Sequence, residues 1–235
     1  MAQGWDWSGF FEYLLNPYLA GGALVTLGLT LAAISGGLIL GCALALMRFS
    51  SLRWLSGTAQ FYIWVFRGTP LLVQLIIIYT GLPQVGIKLS VIQSAFLGLI
   101  LNESAYLAEI IRGGIQSVPA GQTAAAKALG LNKAQAMRFV VLPQAIRLIV
   151  PTLGNSINGL LKTTSITSVI SMEELLRRTQ VLIQERFMVL ELFLVAALYY
   201  LLMTTVWDFF QRRIERHYGR AYSNDAPRSV ALAEH

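Results

Sequence analysis

Arg67, Glu103 and Lys162 each interrupt a strongly apolar stretch, and Lys162 runs straight into Thr163, Thr164, Ser165, Ile166, Thr167 and Ser168. One ammonium and a run of hydroxyls at membrane depth are groups that hold a polar solute, and no lipid-facing helix tolerates them. Arg67, Lys162 and the hydroxyls can meet a carboxylate and paired acidic residues can meet an amine, a combination that suits a zwitterion. Plain structural readings stand beside this one. Gly68 and Pro70 next to Arg67 break or kink a helix, and Lys162 can pair with Glu173 or Glu174. Arg112, three positions beyond Glu109, predicts an ion pair on one helix face. Glu103 lies about 120° round that helix from Glu109 and must face a cavity or another subunit if it stays charged. No catalytic or metal-ligating set is read. The single cysteine, Cys42, sits in an apolar run as core filler, and both histidines, His217 and His235, fall in the tail.

The elements that must carry these groups are membrane spans. With 55% hydrophobic and 13% charged residues in 235, the chain is too apolar for an ordinary soluble domain. The net charge of +6 is spread over span-flanking loops, not gathered in one stripe, which points away from nucleic acid and toward a positive-inside membrane topology. About 20 apolar residues cross a bilayer, and the hydropathy pattern predicts five spans, at roughly 21–47, 57–80, 91–111, 146–161 and 187–210. Gly37 and Gly41 form a GxxxG pair for close helix packing. Residues 1–20 hold Trp5, Trp7, Phe10 and Phe11 and no Lys or Arg, which predicts an external interfacial segment and no cleavable signal. Lys127 and Lys133 are predicted inside. Ser171 and Glu174 read as a capping box for an outer helix over about 172–184. Residues 212–235 form a cytoplasmic tail that is polar beyond Tyr222.

The longest soluble-looking segment is 113–145. Pro119 suits a first helical turn and the Ala-rich run from Ala124 to Leu129 favours helix, giving a short helix over about 119–129. Gly130 ends it, Asn132 with Gln135 caps a second helix, and Pro143 is predicted to stop that helix after Leu142.

Ala125-Ala126, Gly130 and Leu142-Pro143 at this spacing resemble the EAA loop of importer-type ABC transporter permeases, in which a small helix docks into a groove on the ATPase subunit. Phe66-Arg67-Gly68-Thr69-Pro70-Leu71, Gly81-Leu82-Pro83, Ala105-Tyr106-Leu107-Ala108-Glu109, Gly121-Gln122 and Lys162 to Ser165 are similar to the polar amino acid branch of that family. The resemblance covers roughly residues 20–211. It implies an all-α integral membrane protein with a type I importer permease fold, multi-pass in a bacterial inner membrane, and a cytoplasmic coupling helix. It also implies that Pro119, Gly121, Gln122, Ala124, Ala125, Ala126, Gly130, Leu142 and Pro143 form the coupling loop. Arg67, Glu103, Lys162, Thr163, Thr164, Ser165 and Thr167 would then line the substrate path. The implied partners are two ATPase subunits, a second permease subunit, a solute-binding protein and a polar amino acid. ATP and magnesium would sit on the ATPase, with no cofactor on this chain. One departure stands out: the glutamate that gives the loop its name falls on Ala124, which leaves the docking shape but removes any contact made by that carboxylate.

Three function classes compete on the residues. An ABC permease needs a separate ATPase, and this chain has no GxxxxGK[ST] phosphate loop. An ion-coupled secondary carrier would show carboxylates or histidines deep in its spans, where Glu103 is the one candidate. A membrane scaffold leaves the polar run after Lys162 unexplained. No internal repeat is visible, so the symmetry of alternating access requires a second subunit. Within the permease family, Gly81-Leu82-Pro83-Gln84 and the second span look closest to permeases for cystine or acidic amino acids.

Overall fold

The computed structural model describes residues 5–219, and every regular element within them is helical. The tail expected beyond Tyr222 lies outside the described residues. The Asp6 carboxylate accepts from Ser8 N and Gly9 N at 2.9 and 3.1 Å and starts α1, Trp7–Leu14, whose Trp7 and Phe11 are exposed. Asn16 caps α2, Pro17–Arg48, with Pro17 in the first turn where its missing N–H costs nothing. The first span therefore begins earlier than residue 21. It lies along α5, Val91–Gln116, and the small residues explain how closely. A Cβ added to Gly36 would come within 2.7 Å of Ile100, and one added to Gly41 within 3.0 Å of Leu107. Cys42 is exposed, not core filler, because it lies on the side of α2 away from this seam.

The second expected span is not one helix. α3, Arg53–Gly68, and α4, Leu71–Ile76, which continues through a wide turn and a tight one to Val85, meet at 102°. Thr69 and Pro70 between them are extended, as a residue before proline and a proline N-cap prefer. Four helices are long and apolar enough to cross a membrane, and counting the bent pair as one span makes five.

After α5 comes α6, Ala120–Ala128, with Pro119 just ahead of its first turn. Gly130 takes a left-handed φ of 81°, and Asn132 and Gln135 cap each other's backbone N–H at 2.9 Å to start α7, Lys133–Ala136. Pro143 does not end that helix. A widened turn over Met137–Val141 precedes α8, Leu142–Thr163, so Pro143 occupies a first-turn position where no i−4 bond is lost to it. With the tight turn Thr164–Ile170 added, Lys133–Ile170 forms one 38-residue span instead of a short one starting near residue 146.

The capping box is also displaced. Ser171 adopts φ 63° and Glu174 itself caps α9, Leu175–Arg186, accepting from Leu176 N and Arg177 N at 2.9 and 2.8 Å. α10, Val189–Gly219, closes the bundle against α8 and α1. The core falls into three patches: Leu29, Leu75, Leu99 and Leu160 in the middle, Leu19, Leu175 and Leu192 at the end near α1 and α9, and Leu44, Ile63 and Ala108 between α2, α3 and α5.

Candidate functional site: a central polar cavity and an outlying helix

The break between α3 and α4 is held by one amide. Gln74, buried in α4, places its Nε2 3.0 Å from Phe66 O, 3.1 Å from Thr69 O and 2.9 Å from Thr69 Oγ1, capping the carbonyls that the break sets free. Its Oε1 accepts from Asn102 Nδ2 of α5 at 3.1 Å, and Asn102 also donates to Phe66 O at 3.2 Å. The corner of the broken span is thereby tied to the central helix.

Beside that tie opens a cavity of about 330 Å³. Its walls are Thr69, Pro70 and Leu71 at the break, Asn102, Glu103 and Tyr106 on α5, and Ser156, Gly159, Leu160 and Thr163 on α8. The volume falls in the range of about 300–1,000 Å³ common for small-molecule sites. Glu103 is 8% exposed and its Oε1 has no hydrogen-bond partner. Its stem rests on Gly37 of α2, where an added Cβ would lie 3.3 Å from Glu103 Cβ and Cγ.

Arg67 lies on the other side of Tyr106, with its guanidinium carbon 5.4 Å from the ring centre and Nη1 3.7 Å from Glu109 Oε2. Glu109 is at the same time gripped by Arg112 through two bonds of 2.8 and 2.6 Å, the pair that the three-residue spacing predicts. Arg67 thus joins an existing ion pair.

The run after Lys162 is divided by the turn of the helix. Thr163 lines the central cavity, while Lys162 and Ser165 line a groove against Tyr200, Leu201 and Thr204 of α10. Thr164 and Thr167 are fully buried and donate to Leu161 O and Thr164 O at 2.9 and 2.8 Å, so their hydroxyls close the tight turn. Among the described residues ion pairs occur only at Glu109, and the alternative pairing of Lys162 with Glu173 or Glu174 is absent. Glu174 instead accepts from Thr26 Oγ1 at 3.4 Å and Tyr200 Oη at 2.8 Å, joining α2, α9 and α10.

The residues expected to form the coupling loop stand away from the cavity. Pro119, Gly121, Gln122, Ala124 and Ala125 are exposed, Ala126 is buried against the α7 region, and α6 packs on the widened turn at Met137–Val141. Leu142 and Pro143 lie at the head of α8, in line with the cavity-facing residues of the same helix.

Gln74, which holds the break, and Asn102 and Ser156 on the cavity wall escape a reading by motif. The available signal was Gln74, a lone amide in an apolar run just after Gly68-Thr69-Pro70, where freed carbonyls need a donor.

Residues 37–220 match the family model described as "Binding-protein-dependent transport system inner membrane component". The arginine transport system permease protein ArgU of Corynebacterium glutamicum is 39% identical, over 99% of this chain and 78% of that protein. The octopine transport system permease protein OccM of Rhizobium radiobacter is 42% identical over 80% of each. The glutamine transport system permease protein GlnP of Escherichia coli is 36% identical, over 90% of this chain and 96% of that one. Among solved structures, an amino acid ABC transporter with histidines superposes with a TM-score of 0.87 at 39% identity, covering 92% of this chain and 100% of that chain. The inward-facing MetNI methionine ABC transporter shares the fold, with a TM-score of 0.71 at 19% identity.

Proposed function

The chain belongs to the family of binding-protein-dependent transport system inner membrane components and is the permease subunit of an amino acid ABC importer; we propose that α6 docks on its ATPase and that the cavity beside Glu103 is the solute path. It is a multi-pass membrane component and not itself the catalytic one. ATP and magnesium belong to an ATPase subunit, two copies of which accompany two permease subunits in a bacterial inner membrane. A solute-binding protein delivers the amino acid from the side on which α1 lies.

The observation that carries this reading is the single helix from Lys133 to Ile170. One end abuts α6, whose small residues are free to enter a groove, and its middle supplies Ser156, Gly159 and Thr163 to the cavity wall. A continuous helix displaced at one end moves at the other, so ATP-driven motion at α6 is carried toward the solute site along it, through the widened turn at Met137–Val141 and past Pro151. Arg67, shared with Glu109 behind Tyr106, is a candidate for orienting the solute carboxylate at the cavity edge. Lys162 faces α10 and borders the path from outside the cavity.

The test is co-expression with the partner ATPase and binding protein, measuring uptake of radiolabelled amino acids and solute-stimulated ATP hydrolysis. Ala125 is exposed in the isolated chain, so Ala125→Asp leaves the fold intact while placing an unpaired charge in the docking contact, at a cost on the order of several kcal/mol. Stimulated hydrolysis should collapse although the permease still inserts. Wild-type coupling in this variant overturns the docking assignment.

A further inference from the structure

We propose that the far end of α10 carries a binding site for an anionic phospholipid, in which Arg212, Arg213 and Arg216 hold the phosphate and the exposed face above them receives an acyl chain.

Depth sets the class of ligand. α10 has no charged residue between Glu191 and Asp208, and Arg212 lies about 31 Å beyond Glu191 at roughly 1.5 Å per residue. The hydrocarbon core of a bilayer is about 30 Å thick. Glu191 accepts from Asp6 N at 3.0 Å beside α1, which sets it at one boundary. Arg212 and Arg213 then emerge at the phosphate layer of the opposite leaflet, with Arg216 one turn beyond. That leaflet is the one on the side of α6. Trp207 Nε1 donates to Gly154 O at 2.8 Å and Gln211 Nε2 to Asn155 Oδ1 at 2.9 Å, while Tyr200 and Thr204 lie against Lys162 and Ser165, so α10 runs antiparallel to α8 and ends near its head.

Direction narrows the choice. Successive helical residues turn by about 100°, so Phe209, Arg212, Arg213 and Arg216 share an arc of about 100°. The arc faces roughly 120° away from the row of Asp208, Gln211 and Glu215 that meets α8. Leu198, Leu202, Val206 and Phe209 stand exposed one above another on the arc side. That face is therefore apolar through the hydrocarbon and cationic at its edge. An acidic protein surface would answer the arginines and leave the stripe bare, whereas one phospholipid molecule answers both.

The guanidinium groups are also prepared for phosphate. Arg212 Nε donates to Asp208 O at 3.3 Å and Arg216 Nε to Arg212 O at 3.2 Å, bonds within α10 that steady both stems. Their Nη groups, and the whole guanidinium of Arg213, make no hydrogen bond or ion pair among the described residues. Glu215 borders the same hollow as Phe209, Arg212 and Arg216, but its Oε1 already accepts from Gln211 at 2.8 Å. Three positive charges thus face one engaged negative charge, and a guanidinium fork matches a phosphate with two parallel bonds. Membrane orientation asks only for positive charge on this side, not for its alignment beneath an apolar stripe.

The test is native mass spectrometry of the purified permease–ATPase complex in neutral detergent, titrated with phosphatidylglycerol or phosphatidylcholine. Wild type should bind phosphatidylglycerol at least about tenfold more tightly. An arginine near an anionic surface is worth roughly fivefold in affinity, so Arg212→Gln should cost about fivefold and Arg212→Gln with Arg216→Gln about 25-fold. Arg53→Gln, an equal charge change at the start of α3, should leave the affinity unchanged. If the double glutamine variant fails to assemble, Arg212→Lys with Arg216→Lys keeps the charge and removes the forks, and should still lose severalfold. Equal binding of the two lipids by wild type overturns the proposal. So does a preference that survives the double variant, glutamine or lysine, or a loss in Arg53→Gln as large as in Arg212→Gln. Displacement of phosphatidylglycerol by inorganic phosphate at fixed ionic strength overturns it as well, since the arginines would then hold a free anion. Neither amino acid nor ATP is present, so the outcome is independent of the uptake assay that tests the permease reading.

Discussion

Gln74→Leu is the sharpest test of how the broken span is built. Gln74 is 7% exposed, and its amide has two hydrogens for three acceptors within 3.1 Å, so two bonds are made at a time. Leucine removes those two and the bond that Asn102 gives to Oε1. Phe66 O keeps Asn102 as a donor, whereas Thr69 O loses the one that reaches it from Gln74. Three bonds at about 1 kcal/mol each, plus part of the desolvation cost of a bare carbonyl, less the gain from burying an apolar side chain, gives a net loss of about 2–3 kcal/mol. At roughly 2–4 °C per kcal/mol for a chain of this size, the thermal midpoint of the purified complex should fall by about 5–10 °C. Because Asn102 shares the network, adding Asn102→Ala to Gln74→Leu should cost about 1 kcal/mol less than Asn102→Ala alone. A midpoint within a degree of wild type, or two losses that simply add, would show that the corner is held by something other than this amide.

Two further perturbations probe the ends of the molecule. Gly130→Val places a β-branched residue at φ 81°, where an added Cβ would meet nothing within 4 Å, so the loss of about 1–3 kcal/mol is backbone strain alone; solute-stimulated ATP hydrolysis should drop sharply while Gly130→Asn, tolerant of this region, retains most of it, and equal activity of the two variants refutes the argument. Glu174→Ala removes the cap of α9 and strands the hydroxyls of Thr26 and Tyr200, a loss of about 3–5 kcal/mol from a fully buried position; limited proteolysis should then cut the connection between α9 and α10 faster than in wild type, and unchanged protection would mean that Glu174 does not anchor the helix.

Much of the bundle was readable because its signals are local and strong. Charge-free runs mark spans, Asn132 with Gln135 marks a helix start, and Gly130 marks a left-handed turn; each depends on neighbours a few residues away. Pro143 misled because its cost depends on the turn before it: a widened turn over Met137–Val141 leaves no i−4 partner to lose, and nothing in the composition announces that turn. Ser171 and Glu174 misled for a similar reason, since Ser171 had already been drawn into the end of the tight turn at Ile170.

The site was legible by residue type and not by direction. A row of hydroxyls after Lys162 reads as one polar surface, yet a helix separates neighbours by about 100°, so consecutive side chains must face different partners. Thr163 faces the cavity, Lys162 faces α10, and Thr164 and Thr167 turn back on their own backbone, where a buried hydroxyl finds an acceptor most cheaply. Glu103 was the reverse case: an isolated carboxylate with no obvious companion, whose position about 120° from Glu109 already placed it apart from the Arg112 pair. A chain that spends Glu109 on two arginines and leaves Glu103 with none, among the described residues, has separated a paired acid from an unpaired one, a difference that residue type alone does not announce.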